Sequence, residues 1–332
     1  MKYVTNVIKR VEKYLKNNQI IILECTTYPG TTEEYFLPIF NKLKFKVGKN
    51  IFLGYSPERE DPGNYKYSIT KKNLTKIVSG YTKSCKELTS NVYSTITNVY
   101  SVKNIKTAEF TKLLENTFRS VNIGLVNELF AFCDKFNINI FDAVKAANTK
   151  PFGYMPFVPG PGVGGHCIPV DPFYLTYKAN QLGLKTEFIK LAGKINDSRP
   201  LQISKKIKSF LKKNKSLKNK RILILGFSYK KDSDDTRESP VKKICEQLKS
   251  KVKNKLIICD PHIENKDSDI NKMYKFINLK KLYNRKFLKS LALCFIGTNH
   301  SIFKYEYLSK HINTIFDSRN SFKKENSKIK LV

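Results

Sequence analysis

The 332 residues suffice for two or three domains with their own cores, and the 41% hydrophobic and 12% aromatic fractions are typical of globular rather than disordered chains. No apolar run approaches the roughly 18 residues of a membrane span, and the start has no apolar signal-peptide core, so we expect a cytoplasmic protein with no membrane partner. Lys and Arg number 61 against 28 Asp and Glu, a net charge of +33, while the seven scattered cysteines indicate neither a zinc site nor a disulfide framework.

The first block alternates buried-strand and helical patterns, which predicts a parallel α/β sheet. A helical pattern at residues 5–16 comes first, with no strand before it. The strand patterns that follow lie at residues 18–25, 50–55, 76–80 and 98–102. The first of these ends in a Thr-Thr-Tyr-Pro-Gly turn, and the second runs into Ser56-Pro-Glu-Arg.

The middle of the chain is helical. From residue 106 onward, apolar residues repeat at three-and-four spacing over some seven turns, which indicates a long helix of a separate module that often serves dimerisation. Lys112 and Asn116 lie four residues apart on another face of this helix, and taken alone they form an ordinary polar stripe. Further helical patterns lie at 141–147, 172–182 and 187–196.

A loop at residues 159–172 is rich in Gly and Pro and is the most informative stretch of the chain. It formally contains G-x-G-x-x-G, but no strand precedes it and prolines interrupt it, so it is not a dinucleotide fingerprint. We interpret it as a loop whose backbone approaches a ligand and which presents Cys167. Asp171 with Pro172 resembles a helix N-cap, which would place Cys167 where the helix dipole favours a thiolate.

The last block begins after a basic run at residues 204–221, which we interpret as a solvated helix face and linker rather than a nucleic-acid site. Strand patterns at 221–227, 255–260, 291–297 and 314–317 predict a second α/β domain. The fold class is therefore two Rossmann-like parallel-sheet domains, the first incomplete, joined by a central helical region. The predicted domains are 1–102, 103–211 and 212–332.

Five motifs, taken in chain order, resemble those of the UDP-glucose/GDP-mannose dehydrogenase family. They are Cys25-Thr-Thr-Tyr-Pro-Gly, Ser56-Pro-Glu-Arg, Lys112-Leu-Leu-Glu-Asn-Thr-Phe-Arg, Pro159-Gly-Pro-Gly-Val-Gly-Gly-His-Cys-Ile-Pro-Val-Asp-Pro and Gly226-Phe-Ser-Tyr-Lys-Lys-Asp-Ser-Asp-Asp-Thr-Arg-Glu-Ser-Pro. The resemblance covers residues 18–320. The residues from Thr149 to Phe157 look most like the branch that contains UDP-N-acetyl-D-glucosamine 6-dehydrogenase.

The resemblance implies an NAD-dependent, four-electron oxidation of a UDP-sugar C6 alcohol to the uronate, for the synthesis of surface polysaccharide precursors. Cys167 would trap the aldehyde as a thiohemiacetal that becomes a thioester, since thiolates add readily to aldehydes and thioesters hydrolyse easily. Lys112 would stabilise oxyanions. Asp171 and Thr27 match residues that handle the proton and an ordered water, and Glu58 matches one that acts in hydrolysis.

The resemblance also assigns ligand-binding residues, and the helical middle of the chain predicts a homodimer through the central helix. Asn116 matches a residue that positions the substrate at the reacting carbon. The substrate-binding candidates are Glu58, Arg59, Lys112, Asn116, Gly164, Tyr229, Lys230 and Arg319. The cofactor-binding candidates are Thr26, Thr27, Cys167 and Arg237. We expect no bound metal and no nucleic-acid partner.

The chain departs from the family pattern at its start, because the family begins with a strand, G-x-G-x-x-G and an acidic residue about 20 positions on. This sequence has none of these, so we expect that it lacks the N-terminal part of the NAD-binding domain, binds NAD poorly and turns over little. A non-catalytic UDP-sugar-binding or assembly module is the alternative of another class. The sugar is also open among UDP-N-acetylglucosamine, UDP-N-acetylgalactosamine, UDP-N-acetylmannosamine and UDP-glucose.

Overall fold

A computed structural model describes residues 2–61, 67–70, 72–217, 219–252, 255–263, 272–322 and 326–332. The chain divides into two compact units, of which the first is Met1–Phe118 with Val170–Glu187 and the second is Arg119–Pro169 with Phe188–Val332. Among the described residues, no helix is long and apolar enough to cross a membrane.

The first unit contains a four-stranded sheet in the order β1-β2-β3-β4. Its strands are β1 (Gln19–Leu23), β2 (Ile51–Tyr55), β3 (Lys76–Gly80) and β4 (Val99–Ser101). Its helices are α1 (Lys2–Glu12), α2 (Thr31–Lys42), α3 (Lys83–Ser94), the first part of α4 (Ile105–Lys135) and α6 (Asp171–Gln181). As predicted, a helix precedes the first strand, although it ends at residue 12 rather than 16.

The pairing of this sheet departs from the parallel prediction at one place. Strands β1 and β2 pair in parallel, as do β3 and β4, but β2 and β3 are antiparallel. A parallel neighbour needs a crossover connection, usually a helix, and the described residues between β2 and β3 contain none. The reversal brings the start of β3 to the same sheet edge as the ends of β1 and β2.

The first core forms where the sheet meets its helices. Ile51, Leu53 and Tyr55 of β2 are fully buried, and they pack in one cluster with Phe40 of α2 and Ile105 of α4. Alternating apolar strand residues against an amphipathic helix face exclude water from both sides of the strand. This packing holds the loops at the carboxyl edge of β1 and β2 on a rigid base.

The second unit is built on a six-stranded sheet that is parallel throughout, in the order β10-β9-β8-β5-β6-β7. Its strands are β5 (Arg221–Leu225), β6 (Leu256–Cys259), β7 (Lys275–Phe276), β8 (Leu291–Ile296), β9 (Ile315–Asp317) and β10 (Ile329–Leu331). The helices, besides the second part of α4, are α5 (Ile140–Ala147), α7 (Glu187–Lys213), α8 (Pro240–Val252), α9 (Leu279–Leu282), α10 (Arg285–Lys289) and α11 (Tyr305–His311). Glu187, the first residue of α7, belongs to the first unit.

The strand order of this sheet reverses between β5 and β8, because β6 and β7 extend the sheet on one side of β5 and β9 and β10 on the other. In open parallel sheets, ligands bind beyond the carboxyl ends of the strands at such a reversal. The loops after β5 and β8 are therefore the expected ligand edge of the second unit.

Two predictions about helix ends need correction. Helix α7 continues to Lys213, well into the basic run, because Ile203 and Ile207 bury its apolar face while most of its lysines face solvent. The N-cap prediction for Asp171 is wrong. The helix starts at Asp171 itself, Val170 holds the cap position without a side-chain cap bond, and the Asp171 carboxylate is bonded elsewhere.

Candidate functional site

In the first unit, α4 and α6 bring two of the predicted catalytic side chains together. The Asn116 side-chain amide donates a 2.7 Å hydrogen bond to Asp171 Oδ2, and both residues are buried. Burial raises the pKa of Asp171 to about 6, against the Asn116 hydrogen bond and the Lys112 charge, which lower it. A carboxyl group with this pKa gains and loses a proton close to neutral pH, as a general acid or base requires.

The loop after β1 carries Thr26 and Thr27 at the carboxyl edge of the sheet. Thr27 is 1% exposed, and its buried Oγ1 has no hydrogen-bond partner among the described groups. An unsatisfied buried hydroxyl costs about 1–3 kcal/mol, so this atom suits a ligand or water. The loop also lies at the carboxyl edge of the sheet, which is where α/β sheets bind dinucleotides. The residues present therefore fit an NAD site here.

A buried carboxylate on α4 fastens this loop. Glu109 accepts hydrogen bonds from the backbone N–H groups of Gly30 (2.5 Å) and Thr32 (2.9 Å) and from the Thr32 hydroxyl (2.7 Å). Burial raises the pKa of Glu109, and these hydrogen bonds oppose the rise. The carboxylate thus occupies the N-terminus of α2, where helix N–H groups lack partners and negative charge is favoured. Glu109 was not among the site residues predicted from the sequence.

The predicted pair Glu58 and Arg59 follows β2, and the two side chains point to different partners. Glu58 Oε1 accepts hydrogen bonds from the backbone N–H groups of Arg59 and Glu60. The Arg59 guanidinium forms an ion pair with Glu115 at 2.8 Å and donates to the Thr75 carbonyl. Arg59 is therefore engaged within the protein, while Glu58 remains exposed to solvent. The turn that follows this motif in the sequence continues through Pro62 and Gly63, which lie outside the described part of the chain.

In the second unit, the Gly- and Pro-rich segment at residues 159–169, here called the glycine loop, packs closely against the loop after β5. A Cβ atom at Gly164 would lie 2.5 Å from Cβ of Tyr229, closer than real side chains approach, so only glycine fits there. The Gly165 N–H donates to the Arg237 carbonyl at 2.9 Å. Cys167, two residues further on, is an exposed thiol. The structure thus brings the predicted residues Gly164 and Tyr229 together, with Lys230 next in the chain.

Arg319, which follows β9, lies against the same glycine loop. Its Nη1 would be 3.1 Å from a Cβ at Gly160, and its Nε donates to the Gly297 carbonyl at 2.9 Å. Burial lowers the pKa of Arg319 to about 10, opposed by Asp317, so it stays cationic at neutral pH. A guanidinium held at the ligand edge of a parallel sheet suits a diphosphate. Arg237 differs, since its exposed guanidinium pairs with Asp235.

Three buried residues on α4 and α7 hold the glycine loop through hydrogen bonds, and none of them was predicted from the sequence. Asn127 Oδ1 accepts from the Gly160 N–H at 3.0 Å, and its amide donates to Asn196 Oδ1 at 3.0 Å. Arg199 donates to the Gly160 carbonyl at 3.3 Å and stacks over Phe130. From sequence alone, Asn and Arg on helices are expected at the surface. Only their burial shows that these residues support the glycine loop.

A carboxylate after β6 holds the loop that carries Tyr229 and Lys230. Asp260 Oδ2 accepts from the backbone N–H groups of Phe227 and Ser228 and lies 3.0 Å from His300 Nε2. Nδ1 of His300 accepts from the Asp232 N–H at 2.9 Å. Asp232, His262 and His300 are also close enough to resemble a metal site. Both ring nitrogens of His300 are engaged, whereas the buried Nε2 of His262 has no hydrogen-bond partner among the described groups. The absence of metal stays a prediction.

Two α/β units, one with a buried acid–amide pair and the other with a cationic glycine-loop edge, define a nucleotide-binding α/β protein with proton-handling groups. Three domain models of one family match the chain. The NAD binding domain matches residues 1–97, the central domain 106–198 and the UDP binding domain 223–324. The chain belongs to the UDP-glucose/GDP-mannose dehydrogenase family.

Named relatives support this membership. Protein CapL of Staphylococcus aureus is 36% identical over 92% of this chain and 72% of its own length. A UDP-N-acetyl-D-glucosamine 6-dehydrogenase of Salmonella typhi is 38% identical over 75% of this chain and 59% of its own. The chain thus spans about three fifths to three quarters of the length of these relatives. Among solved structures, a UDP-D-ManNAc dehydrogenase from Pyrococcus horikoshii matches with a TM-score of 0.84 and 28% identity, over 99% of this chain and 75% of that one.

These matches confirm the family, the two α/β domains with a helical centre, and NAD as the cofactor of the family's first domain. The match to the NAD binding domain covers residues 1–97, and the expectation that the N-terminal part of this domain is missing stays a prediction. The domain boundaries and the role of each site residue stay predictions.

Proposed function

We propose that this protein oxidises the C6 alcohol of a UDP-sugar to the carboxylate, through a thiohemiacetal and a thioester on Cys167. The observation that carries the proposal is the buried Asn116–Asp171 pair beside Lys112, because it supplies a proton-handling carboxyl with a pKa near 6. The match to a UDP binding domain and the cationic edge around Arg319 support the substrate class.

In this proposal, different residues of the chain carry out different steps of the reaction. Cys167 adds as a thiolate to the aldehyde carbon, and the Lys112 ammonium balances the negative charge that develops on oxygen. Asp171 takes up the alcohol proton, while the hydrogen bond from Asn116 holds its carboxylate in place. Glu58 assists hydrolysis of the thioester. NAD, when bound, accepts hydride, and Thr26, Thr27 and Arg237 are the residues that would hold it.

Substrate recognition belongs to the second unit in this proposal. Tyr229 and Lys230 lie on the loop after β5, and Arg319 on the loop after β9, which is the edge where a parallel sheet binds ligands. Gly164 leaves room for a close backbone approach beside Tyr229. The diphosphate is placed at Arg319 because its guanidinium offers paired donors.

We further propose a homodimer through α4. Its apolar residues Phe110, Leu114, Phe118, Leu125 and Leu129 recur at helical spacing, yet each is 43–52% exposed. Contiguous apolar surface of this kind on a single chain is typical of an interface, and a self-complementary helix face suits a two-fold dimer.

UDP-N-acetylglucosamine is the first substrate to test, since a relative named for it is 38% identical to this chain. UDP-N-acetylmannosamine is the second, because a Methanocaldococcus jannaschii relative named for it is 36% identical. The purified chain is assayed for NADH formation at saturating NAD with each sugar. A higher kcat/KM for one sugar identifies the substrate. UDP-sugar binding without NADH formation from any of them would instead indicate a non-catalytic binding module.

A further inference from the structure

One buried lysine in the first unit has no place in the mechanism so far. Lys76 opens β3 and is 2% exposed, and its Nζ lies 2.9 Å from Glu24 Oε1 and 3.2 Å from Glu58 Oε2. The ammonium also lies 5.2 Å from the centre of the Tyr93 ring, whose hydroxyl donates to Glu24. Lysine is almost never buried without partners, and here it has two carboxylates and an aromatic ring.

The antiparallel turn of the sheet explains this arrangement. Glu24 follows β1 and Glu58 lies beyond the end of β2, so both carboxylates lie at the carboxyl edge of these parallel strands. Since β3 runs in the opposite direction, its first residue, Lys76, lies at that same edge. Two carboxylates near one another repel, and the ammonium between them offsets this repulsion.

The rest of the surroundings of Glu58 favours its ionised form. Its other oxygen accepts the backbone N–H groups of Arg59 (2.7 Å) and Glu60 (2.6 Å). Burial raises the pKa of Glu58, but these hydrogen bonds and Lys76 outweigh it, so the pKa lies below its ordinary value. Besides Lys76, the titratable neighbours of Glu58 are Glu24, which follows β1, and the uncharged Tyr93 phenol on α3. The Arg59 guanidinium pairs with Glu115.

We propose that Lys76 is a positioning residue of the reaction, which holds the Glu58 carboxylate in place for thioester hydrolysis. The proposal rests on the function proposed above. In that step the oxygen of water bonds to the thioester carbonyl carbon, and one water proton passes to Glu58. The C–S bond then breaks, and sulfur leaves as the Cys167 thiolate. A carboxylate that is already protonated cannot accept the proton, which is why a fixed ammonium partner matters.

The first test needs no turnover. The carboxyl carbon of Glu58 is followed by ¹³C NMR as a function of pH in the full chain, with Glu58→Gln to assign its signal. Lys76→Met should move the Glu58 titration to higher pH, because the cation is lost and Glu24 remains. Lys76→Arg should keep it close to that of the unaltered protein. Lys83→Met, which removes an exposed lysine of α3, is the matched control and should leave it unchanged. An unmoved titration in Lys76→Met overturns the proposal.

The second test uses turnover. In Lys76→Met the acid limb of the pH–kcat profile should move to higher pH, with kcat lower by about tenfold at pH 6 and thioester enzyme accumulating after the first turnover. KM for the UDP-sugar should change little, and Lys76→Arg should restore much of kcat. Equal losses at every pH, without thioester accumulation, would mean a merely structural role. If the unaltered chain turns over no UDP-sugar, the proposed function fails, while the carboxyl titration still decides the interaction of Lys76 with Glu58.

Discussion

The two units prepare their parts of the chemistry by different physical means. In the first unit, burial and neighbouring charges move the pKa values of carboxyl groups, upward at Asp171 and downward at Glu58. In the second unit, the predicted residues are arranged mainly by backbone shape, as in the close approach of Gly164 to Tyr229. Proton transfer is thus tuned in the first unit, and ligand fit in the second. Apart from the nucleophile Cys167, substitutions should therefore change pH dependence in the first unit and affinity in the second.

The largest expected effect is on the nucleophile. Cys167→Ser should lower kcat by at least about 10³-fold, since a hydroxyl without an activating base adds poorly to an aldehyde. UDP-sugar affinity, measured by titration calorimetry, should stay within about twofold. Cys133→Ser, another thiol of the second unit, is the control and should keep its activity. Equal activity in the two variants would remove Cys167 from the mechanism.

Asp171→Asn separates catalysis from stability in the first unit. It should lower kcat by about 10²–10⁴-fold, because the amide cannot exchange a proton. It should also raise the free energy of unfolding at pH 7.5 by about 1–3 kcal/mol. The folded pKa of about 6 exceeds the ordinary value of 3.8, so the folded state binds the proton more tightly. The native protein accordingly loses stability as pH rises from about 4 to 6, and the variant should not.

Denaturant unfolding at pH 4, 5, 6 and 7.5 measures this difference. Asp142→Asn changes an exposed carboxyl group on α5 and serves as the control, with little change expected at any pH. If Asp171→Asn has the same pH slope as the unaltered protein, Asp171 is not the perturbed group.

Gly164→Ala tests ligand fit in the second unit. The new Cβ would lie 2.5 Å from Cβ of Tyr229 and 3.0 Å from Cδ of Pro240, so the loop must shift. UDP-sugar affinity should fall by about tenfold or more, with a loss of about 1–3 kcal/mol in stability. Gly153→Ala is the control, because its φ of 69° is unfavourable for alanine but the space around it is open. It should cost about 1 kcal/mol without changing affinity. An unchanged affinity in Gly164→Ala would separate this contact from the ligand site.

The smallest effect on chemistry is expected from the exposed face of α4. Leu125→Glu should shift sedimentation from dimer to monomer, since a charge in an apolar interface is desolvated without a partner. Asp134→Asn, which lies two and a half turns after Leu125 and therefore on the opposite face of the same helix, should leave the dimer intact. A monomeric unaltered protein would exclude the proposed interface.

The sequence predicted the strands of both sheets well, because their apolar residues are continuous and bounded by turns. Strand β3 was predicted at residues 76–80 and lies there. The short strands β7 and β10 were missed, since two or three residues carry no period. The antiparallel pairing of β2 with β3 was also missed, because a strand pattern does not state its direction.

The site was predicted in part. The motifs identified Asp171 and Asn116, yet the N-cap assigned to Asp171 was wrong because a nearby Pro and a polar residue mimic a cap without the bond. Lys76, Glu109 and Arg199 were not identified at all. Each is charged and buried through partners far away in the chain, and local sequence carries no signal for such pairing.

The central claim is that Cys167 carries one sugar through two oxidations. The most direct measurement is the stoichiometry of NADH to UDP-uronate, made with the purified chain, saturating NAD and a limiting amount of UDP-N-acetylglucosamine or UDP-N-acetylmannosamine. We expect two NADH for each carboxylate formed, with no product from Cys167→Ser. Binding of the sugar with no NADH, or one NADH with release of a free aldehyde, would contradict the account.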